Sequence, residues 1–183
     1  MTKILFTADS HFGSKRTLEL SRRPFSSVED MDAELRLRWN DTVGGTDTVY
    51  HLGDFGDPKM VKYLSGAEIK VLVGNYDTPD VQTMLMADSR VKVYNIKTPI
   101  RLTGLPDDLP VLNLVHEPEN ATNLNEFYLY GHVHQLSMVK RNGLNVGTDC
   151  HQFRPIDLDV VRFYYNAITA HYDHNVFMSA LGG

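Results

Sequence analysis

The sequence predicts a layered α/β fold, and three observations lead to it. Short apolar, β-branched runs alternate with stretches of helical spacing through the first half of the chain. Most of these runs end on a glycine or a polar side chain, as happens where buried strands deliver functional groups at their C-terminal ends. Hydrophobic residues make up 42% of the 183 positions and charged residues 22%, so a sizeable core is expected and disorder is excluded. With no compositional break, the chain reads as a single domain over 1–183.

Taken in order, residues 3–8 (KILFTA) form the first strand, ending at Asp9. A Ser- and Arg-rich segment follows and reads as a loop. Ser27 offers an N-cap, Glu29 and Asp30 supply an acidic first turn, and Met31, Leu35 and Trp39 recur at helical spacing, which predicts a helix over 28–42. Gly44 and Gly45 interrupt the pattern, and 48–52 (TVYHL) is a second strand ending at Gly53-Asp54. A helix is predicted over 58–64, a third strand over 69–73 (IKVLV) ending at Gly74-Asn75, and another helix over 79–87. The second half is richer in strands, at 91–94, 111–115, 127–130, 137–139 and 144–146. Of these, the second runs into His116 and the third into Gly131-His132-Val133-His134. From Asp157 onward Val160, Val161, Tyr164 and Ile168 support a C-terminal helix, and the tail to Gly183 carries no pattern.

Composition also restricts function. A formal net charge of -5 excludes the global basic field of a non-specific nucleic-acid binder, and Lys15, Arg16, Arg22 and Arg23 form the one basic cluster that could meet an anion. No apolar stretch approaches a membrane span, no secretory signal is recognisable at the N-terminus, and the single cysteine, Cys150, leaves no internal disulfide, so a cytoplasmic location is expected. No obligate protein partner is evident; self-association is left open.

The chemistry lies at the strand ends. Five of them deliver Asp9 with His11, Asp54, Asn75, His116, and His132 with His134. Carboxylate, amide oxygen and imidazole together suit divalent ions such as manganese, iron, nickel or zinc, and sulfur ligands are absent from the set. Each residue alone has an ordinary structural use, because Asp at a strand end often caps a turn and a lone His is usually a satisfied structural residue. Jointly, each behind an apolar run and accompanied by glycines at 53, 74 and 131 that permit tight turns, they point to a metal site.

The series Asp9-Ser10-His11, Gly53-Asp54, Gly74-Asn75-Tyr76-Asp77, His116 and Gly131-His132-Val133-His134 resembles, in order and interval, the calcineurin-like metallophosphoesterases, over about residues 3–148. The resemblance implies two β-sheets packed face to face and flanked by helices, a four-layer α/β/β/α arrangement with the metal site at strand ends on one edge. It further implies two divalent ions, with manganese preferred. Asp9, His11 and His134 would hold one ion, Asn75, His116 and His132 the other, and Asp54 would bridge both, with a shared hydroxide attacking phosphorus. Two ions roughly 3.5 to 4 Å apart lower the pKa of a shared water and neutralise the phosphoryl oxygens.

The sequence departs from the family at Tyr76, where most members carry a His thought to protonate the leaving oxygen. A phenol donates a hydrogen bond but is a poorer proton donor at neutral pH than an imidazolium. Members without this His resemble phosphodiesterases, so the expected substrate is a small or nucleotide-like phosphodiester, including a nucleic acid end. A metal-dependent phosphomonoesterase acting on protein or nucleotide, and a non-catalytic binding module, remain as alternatives. Asp77 would support the missing His, which leaves its role open. The Arg23-Pro24-Phe25 segment is similar to one in small bacterial and phage members, and Arg23, then Arg22, are expected to contact phosphate through their guanidinium groups. Asp54, Asn75, Tyr76 and Arg23 are thus the candidate catalytic residues, and Asn75, Tyr76, Arg22 and Arg23 the candidate substrate contacts. His51 and His151 read as structural.

Overall fold

The computed structural model describes residues 2–95 and 98–171. Within them β1 (Ile4–Thr7), β2 (Thr48–His51), β3 (Glu68–Leu72) and β4 (Val91–Tyr94) run parallel in that order, and β10 (Ile156–Asp157) pairs antiparallel with β1 to complete a five-stranded sheet. A second five-stranded sheet is built from β5 (Ile100–Leu102), β6 (Leu112–Leu114), β7 (Phe127–Tyr130), β8 (Val139–Lys140) and β9 (Gly143–Asn145). Its order is β5-β6-β7-β9-β8, with β6, β7 and β9 parallel and antiparallel strands at both edges.

The period-two alternation of the strands sorts their side chains into two cores. Leu5, Val49, Ile69 and Val71 pack against Met31, Leu35 and Trp39 of α2 (Val28–Thr42) and Leu85 of α3 (Pro79–Leu85). Their neighbours Phe6, Tyr50 and Leu72 face the other way, onto Leu112, Leu114, Leu129 and Leu144 of the second sheet and Val161 and Ile168 of α4 (Leu158–His171). Both faces of the first sheet are therefore buried, as a parallel sheet requires. The result is the expected α/β fold: two mixed sheets packed as a sandwich, with flanking helices.

Local chemistry accounts for the helix boundaries. The Ser27 side chain accepts from the Asp30 amide at 3.1 Å to start α2, and Trp39 Nε1 donates to the Ser65 carbonyl at 2.9 Å where the helix meets the sheet. The segment read as a loop contains a further helix, α1 (Lys15–Leu20), capped by Ser14, which accepts from the Thr17 amide at 3.1 Å. Only Thr17 is buried in it, so the sequence carried no apolar period to reveal it. The helix expected over 58–64 is instead a 3-10 turn, Pro58–Tyr63, whose buried residues Pro58 and Val61 stand three apart and so suit three residues per turn. The helix expected to reach 87 ends at Leu85. The strand expected over 137–139 shifts to Val139–Lys140, because His134–Leu136 wind into a 3-10 turn. Strands β5 and β10, three and two residues long, are too short to leave a pattern. The tail beyond 171 lies outside the described residues.

Candidate metal centre

Because β1, β2 and β3 run parallel, as do β6 and β7, their C-terminal ends reach one edge of the sandwich. Asp9 and His116 stand two residues beyond β1 and β6, His132 two beyond β7, and Asp54 and Asn75 three beyond β2 and β3. Amide bonds continue past the strands: Asp9 N–H donates to Gly53 O, His11 N–H to Asp54 O and Phe12 N–H to Phe55 O, each at 3.0 Å. The buried Asp77 carboxylate accepts from the amides of Asp54 (2.8 Å), Phe55 (2.9 Å) and Gly74 (2.8 Å), so it pins the second and third loops together.

The backbone is strained where the candidate ligands sit. Asp9, His11, Asp54, His132 and His134 have φ of 55°, 48°, 59°, 71° and 49°, five of the eight non-glycine residues with positive φ among the described residues. Such conformations persist only where the surroundings enforce them, and they concentrate at functional sites. Here Arg23 supplies much of the enforcement. Its guanidinium donates to the carbonyls of Asp9 (2.6 Å) and Ser10 (2.8 Å), to Thr148 Oγ1 (3.2 Å), and to both carboxylate oxygens of Asp149 (2.9 and 2.8 Å).

All seven residues expected as ligands converge. Asp9, His11 and His134 form one group and Asp54, His116 and His132 another, with the donor atoms of each group within 4.8 Å of one another. Asp54 Oδ2 lies 3.5 Å from His11 Nε2 and 3.4 Å from His116 Nε2, and so stands between the groups. Asn75 Oδ1 is 3.1 Å from His116 Nε2 and 3.0 Å from His132 Nδ1, which are themselves 3.3 Å apart. His116 Nδ1 meets the Leu52 carbonyl at 2.7 Å and His134 Nδ1 meets Asp149 Oδ2 at 2.7 Å. Both partners only accept, so both Nδ1 atoms carry the proton and the Nε2 lone pairs are left as ligands.

The donor set fits a divalent cation. His11 Nε2 is buried with no hydrogen-bond partner, and the acceptor atoms of Asn75, His116 and Asp54 crowd together with nothing to hold them but a proton or a metal ion. The protein's own charges record the same field. Burial pushes the Asp9 carboxyl up to about 6, against the pull of His116 and His134, and so disfavours its charge unless a cation lies beside it. Burial opposes protonation of His116 too, yet the Asp54 carboxylate outweighs it and raises the imidazole to about 9, so a metal ion would bind at Nε2 in exchange for a proton. His11 is lowered to about 4 by burial and stays neutral at pH 7, as ligation needs.

Glycines let these groups approach. Gly53 takes a φ of 98°, and a Cβ there would lie 2.5 Å from His116 Nδ1. Gly74 and Gly131 were expected to permit turns, but neither has a positive φ; what they provide is room, since a Cβ would overlap the Asp54 carboxylate at Gly74 and lie 2.7 Å from Asp9 Oδ2 at Gly131. Gly74→Ala is expected to weaken divalent-metal binding by about 10- to 100-fold, the range seen when the support of a metal ligand is disturbed. Calorimetric metal titration checks it, and unchanged affinity would show that the Asp54 loop has slack.

The expected phosphate contacts fare differently. Arg23 is 5% exposed, and its donors are committed to the Asp9 loop and to Asp149, so it cannot also grip a substrate; the sequence placed it at phosphate because exposure is not legible locally. Arg22 is exposed, with a φ of 47°, at the end of α1. Tyr76 is 49% exposed; its ring stands edge-on to His11 at 5.5 Å and its hydroxyl accepts from Arg16. Buried His51 bonds Ser10 Oγ at 2.8 Å, and His151 Nε2 donates to the Asn145 carbonyl at 2.7 Å, so both are taken up by the scaffold. Asp149 was missed, although Val146-Gly147-Thr148-Asp149 repeats the apolar-glycine-polar pattern of the other strand ends.

Two clefts open beside the cluster. One, of about 250 Å³, is bounded by His11, Tyr76, His132 and His134 and rimmed by Arg16 and Leu136. The other, of about 420 Å³, is bounded by Asn75 and His116 and rimmed by Asn95, Glu117 and Asn120. Among the described residues no helix is long and apolar enough to cross a membrane.

Comparison with known proteins agrees with this geometry. Residues 2–153 match the model of the calcineurin-like phosphoesterase superfamily domain. An uncharacterized protein of Methanocaldococcus jannaschii, MJ1445, is 30% identical over 173 residues, which cover 88% of this chain and 90% of that protein. The gene 66 protein of Mycobacterium phage L5 is 34% identical over 87 residues, 43% of this chain and 42% of its own length. The crystal structure of AQ665, a protein of unknown function from Aquifex aeolicus, superposes with a TM-score of 0.67 at 17% identity, covering 88% of this chain and 98% of that one, and so shares the fold. With a family match over most of its length and two Asp/His groups at the strand ends, the chain belongs to the calcineurin-like phosphoesterase superfamily and is a metal-dependent phosphoesterase.

Proposed function

We propose that the chain is a dinuclear phosphodiesterase that hydrolyses a small or nucleotide-like phosphodiester. The observation that carries this reading is the placement of Asp54 between two ligand groups, with a cleft beside each. A phosphorus atom at the centre would have space for an ester arm on either side, which a monoester does not need.

In this reading Asp9, His11 and His134 hold one ion, Asn75, His116 and His132 the other, and Asp54 contributes to both. Two divalent ions bound there would supply an activated water at neutral pH and neutralise the phosphoryl oxygens. The chain's own part is to hold the ligands rigid. Asp149 orients His134, the Leu52 carbonyl orients His116, and Asp77 fixes the backbone that carries Asp54. An oxygen-and-imidazole set without sulfur suits manganese, iron, nickel or zinc, and manganese is the ion taken for the test. Tyr76 donates a hydrogen bond where an imidazolium would donate a proton, which favours esters with good leaving groups. The lone cysteine suits a cytoplasmic setting, and in this reading the chain acts as one domain with no obligate protein partner.

The test compares bis(4-nitrophenyl) phosphate with 4-nitrophenyl phosphate on the manganese-loaded protein. A kcat/KM ratio of about tenfold or more in favour of the diester supports the reading, in line with the loss of one general acid. Preference for the monoester would make the protein a phosphomonoesterase, and failure to bind metal or turn over either ester would make it a binding module. Tyr76→His is expected to raise monoester hydrolysis by about 10²-fold, the usual contribution of a positioned acid. No rise would remove this account of Tyr76.

A further inference from the structure

The basic residue that faces the cleft is Arg16, which the sequence did not single out from its cluster. It lies on α1, is exposed, and leans over Tyr76 with its guanidinium carbon 5.6 Å from the ring centroid while donating a hydrogen bond to the phenol oxygen. A guanidinium has five N–H donors and no acceptor. Two consequences follow. The phenol hydrogen cannot point at Arg16, so it is left for an acceptor in the cleft. The remaining guanidinium donors are not matched to a carboxylate, since no Asp or Glu lines this cleft among the described residues and Arg16 forms no ion pair there. Among the described residues Arg16 is thus the one permanent charge lining a cleft whose floor is made by His11, His132 and His134.

We propose that Arg16 and Tyr76 form a single subsite for the substrate anion: free guanidinium N–H groups take a non-bridging oxygen of the phosphodiester, and the bond from Arg16 turns the Tyr76 hydroxyl toward the ester oxygen of the departing arm. Arg16 is both an anion contact and the positioning residue of Tyr76. This rests on the phosphodiesterase reading for the identity of the ester arm. The recognition of a phosphoryl anion does not.

The experiment uses the full, manganese-loaded chain with Arg16→Met, Arg16→Lys, Tyr76→Phe and the double variant Arg16→Met/Tyr76→Phe. Metal content and thermal midpoint are measured first; both side chains are solvent-facing, so neither should change. Inorganic phosphate is then titrated as a probe that requires no turnover. Arg16→Met is expected to weaken phosphate binding and to raise KM for bis(4-nitrophenyl) phosphate by about tenfold or more, the loss of a charge-assisted hydrogen bond. Tyr76→Phe should lower kcat and leave phosphate affinity unchanged. Arg16→Lys, which keeps the charge and loses the fork, should recover phosphate affinity more than kcat. In the Tyr76→Phe background, Arg16→Met should no longer reduce kcat, because the hydroxyl it positions is gone.

Phosphate affinity and KM within about twofold of wild type in Arg16→Met would overturn the anion contact, and strictly multiplicative kcat losses in the double variant would overturn the positioning role. If the wild type prefers monoesters, the diesterase reading fails while the phosphate titration still decides the subsite.

Discussion

Asp54→Asn is expected to lower phosphoester hydrolysis by at least about 10³-fold, equivalent to roughly 4 kcal/mol of lost transition-state stabilisation. The substitution removes a charge and little else. Asparagine tolerates the left-handed backbone that Asp54 adopts at a φ of 59°, and its side-chain oxygen can still accept from the Tyr76 amide, as Asp54 Oδ1 does at 2.9 Å. What disappears is the negative oxygen 3.5 Å from His11 Nε2 and 3.4 Å from His116 Nε2, the one carboxylate that faces both ligand groups. Metal content by atomic emission should fall together with kcat/KM, and the thermal midpoint in chelator should hold. A variant that keeps both ions and activity within about tenfold of wild type would mean that Asp54 does not join the two groups.

The second large effect concerns stability. Arg23→Met is expected to destabilise the fold by about 3–5 kcal/mol, because it leaves the Asp149 carboxylate buried without its partner. The side chains of Arg23 and Asp149 are 0% and 4% exposed, so solvent does not screen the loss. Two strained residues, Asp9 and His11, also lose the clamp on their loop, and His134 loses the fixed orientation of the carboxylate that holds its ring. For a chain of this size the thermal midpoint should drop by about 10 °C. A double variant, Arg23→Met/Asp149→Leu, should regain part of the loss, since the orphaned charge is gone. If Arg23 bound substrate instead, stability would hold and KM alone would rise, which separates the buried clamp from the phosphate contact that sequence reading suggests.

The contrast between Arg23 and Arg16 marks the limit of what could be read from the chain. Both belong to one basic cluster, and the Arg23-Pro24-Phe25 resemblance points to the one that is buried. Which arginine turns inward depends on α1, a helix of six residues with a single buried side chain, and on a carboxylate 126 positions away. Neither leaves a periodic trace. Asp77 behaved similarly: it looked like support for an absent His, and its three bonds to the backbone amides of Asp54, Phe55 and Gly74 emerge only when two loops meet.

By itself the sequence determined that buried strands would alternate with helices in the first half and that Asp9, His11, Asp54, Asn75, His116, His132 and His134 would follow the ends of apolar runs. It could do so because apolar runs, glycines and ligand types are local properties, and parallel strands bring their C-terminal ends to one edge. Only the tertiary structure decided that five candidate ligands occupy strained backbone, that Asp77 ties two loops together, and that Arg23 is an internal clamp while Arg16 borders the cleft. Those outcomes depend on pairing between residues far apart in the chain, where burial and partnership are properties of the packed molecule.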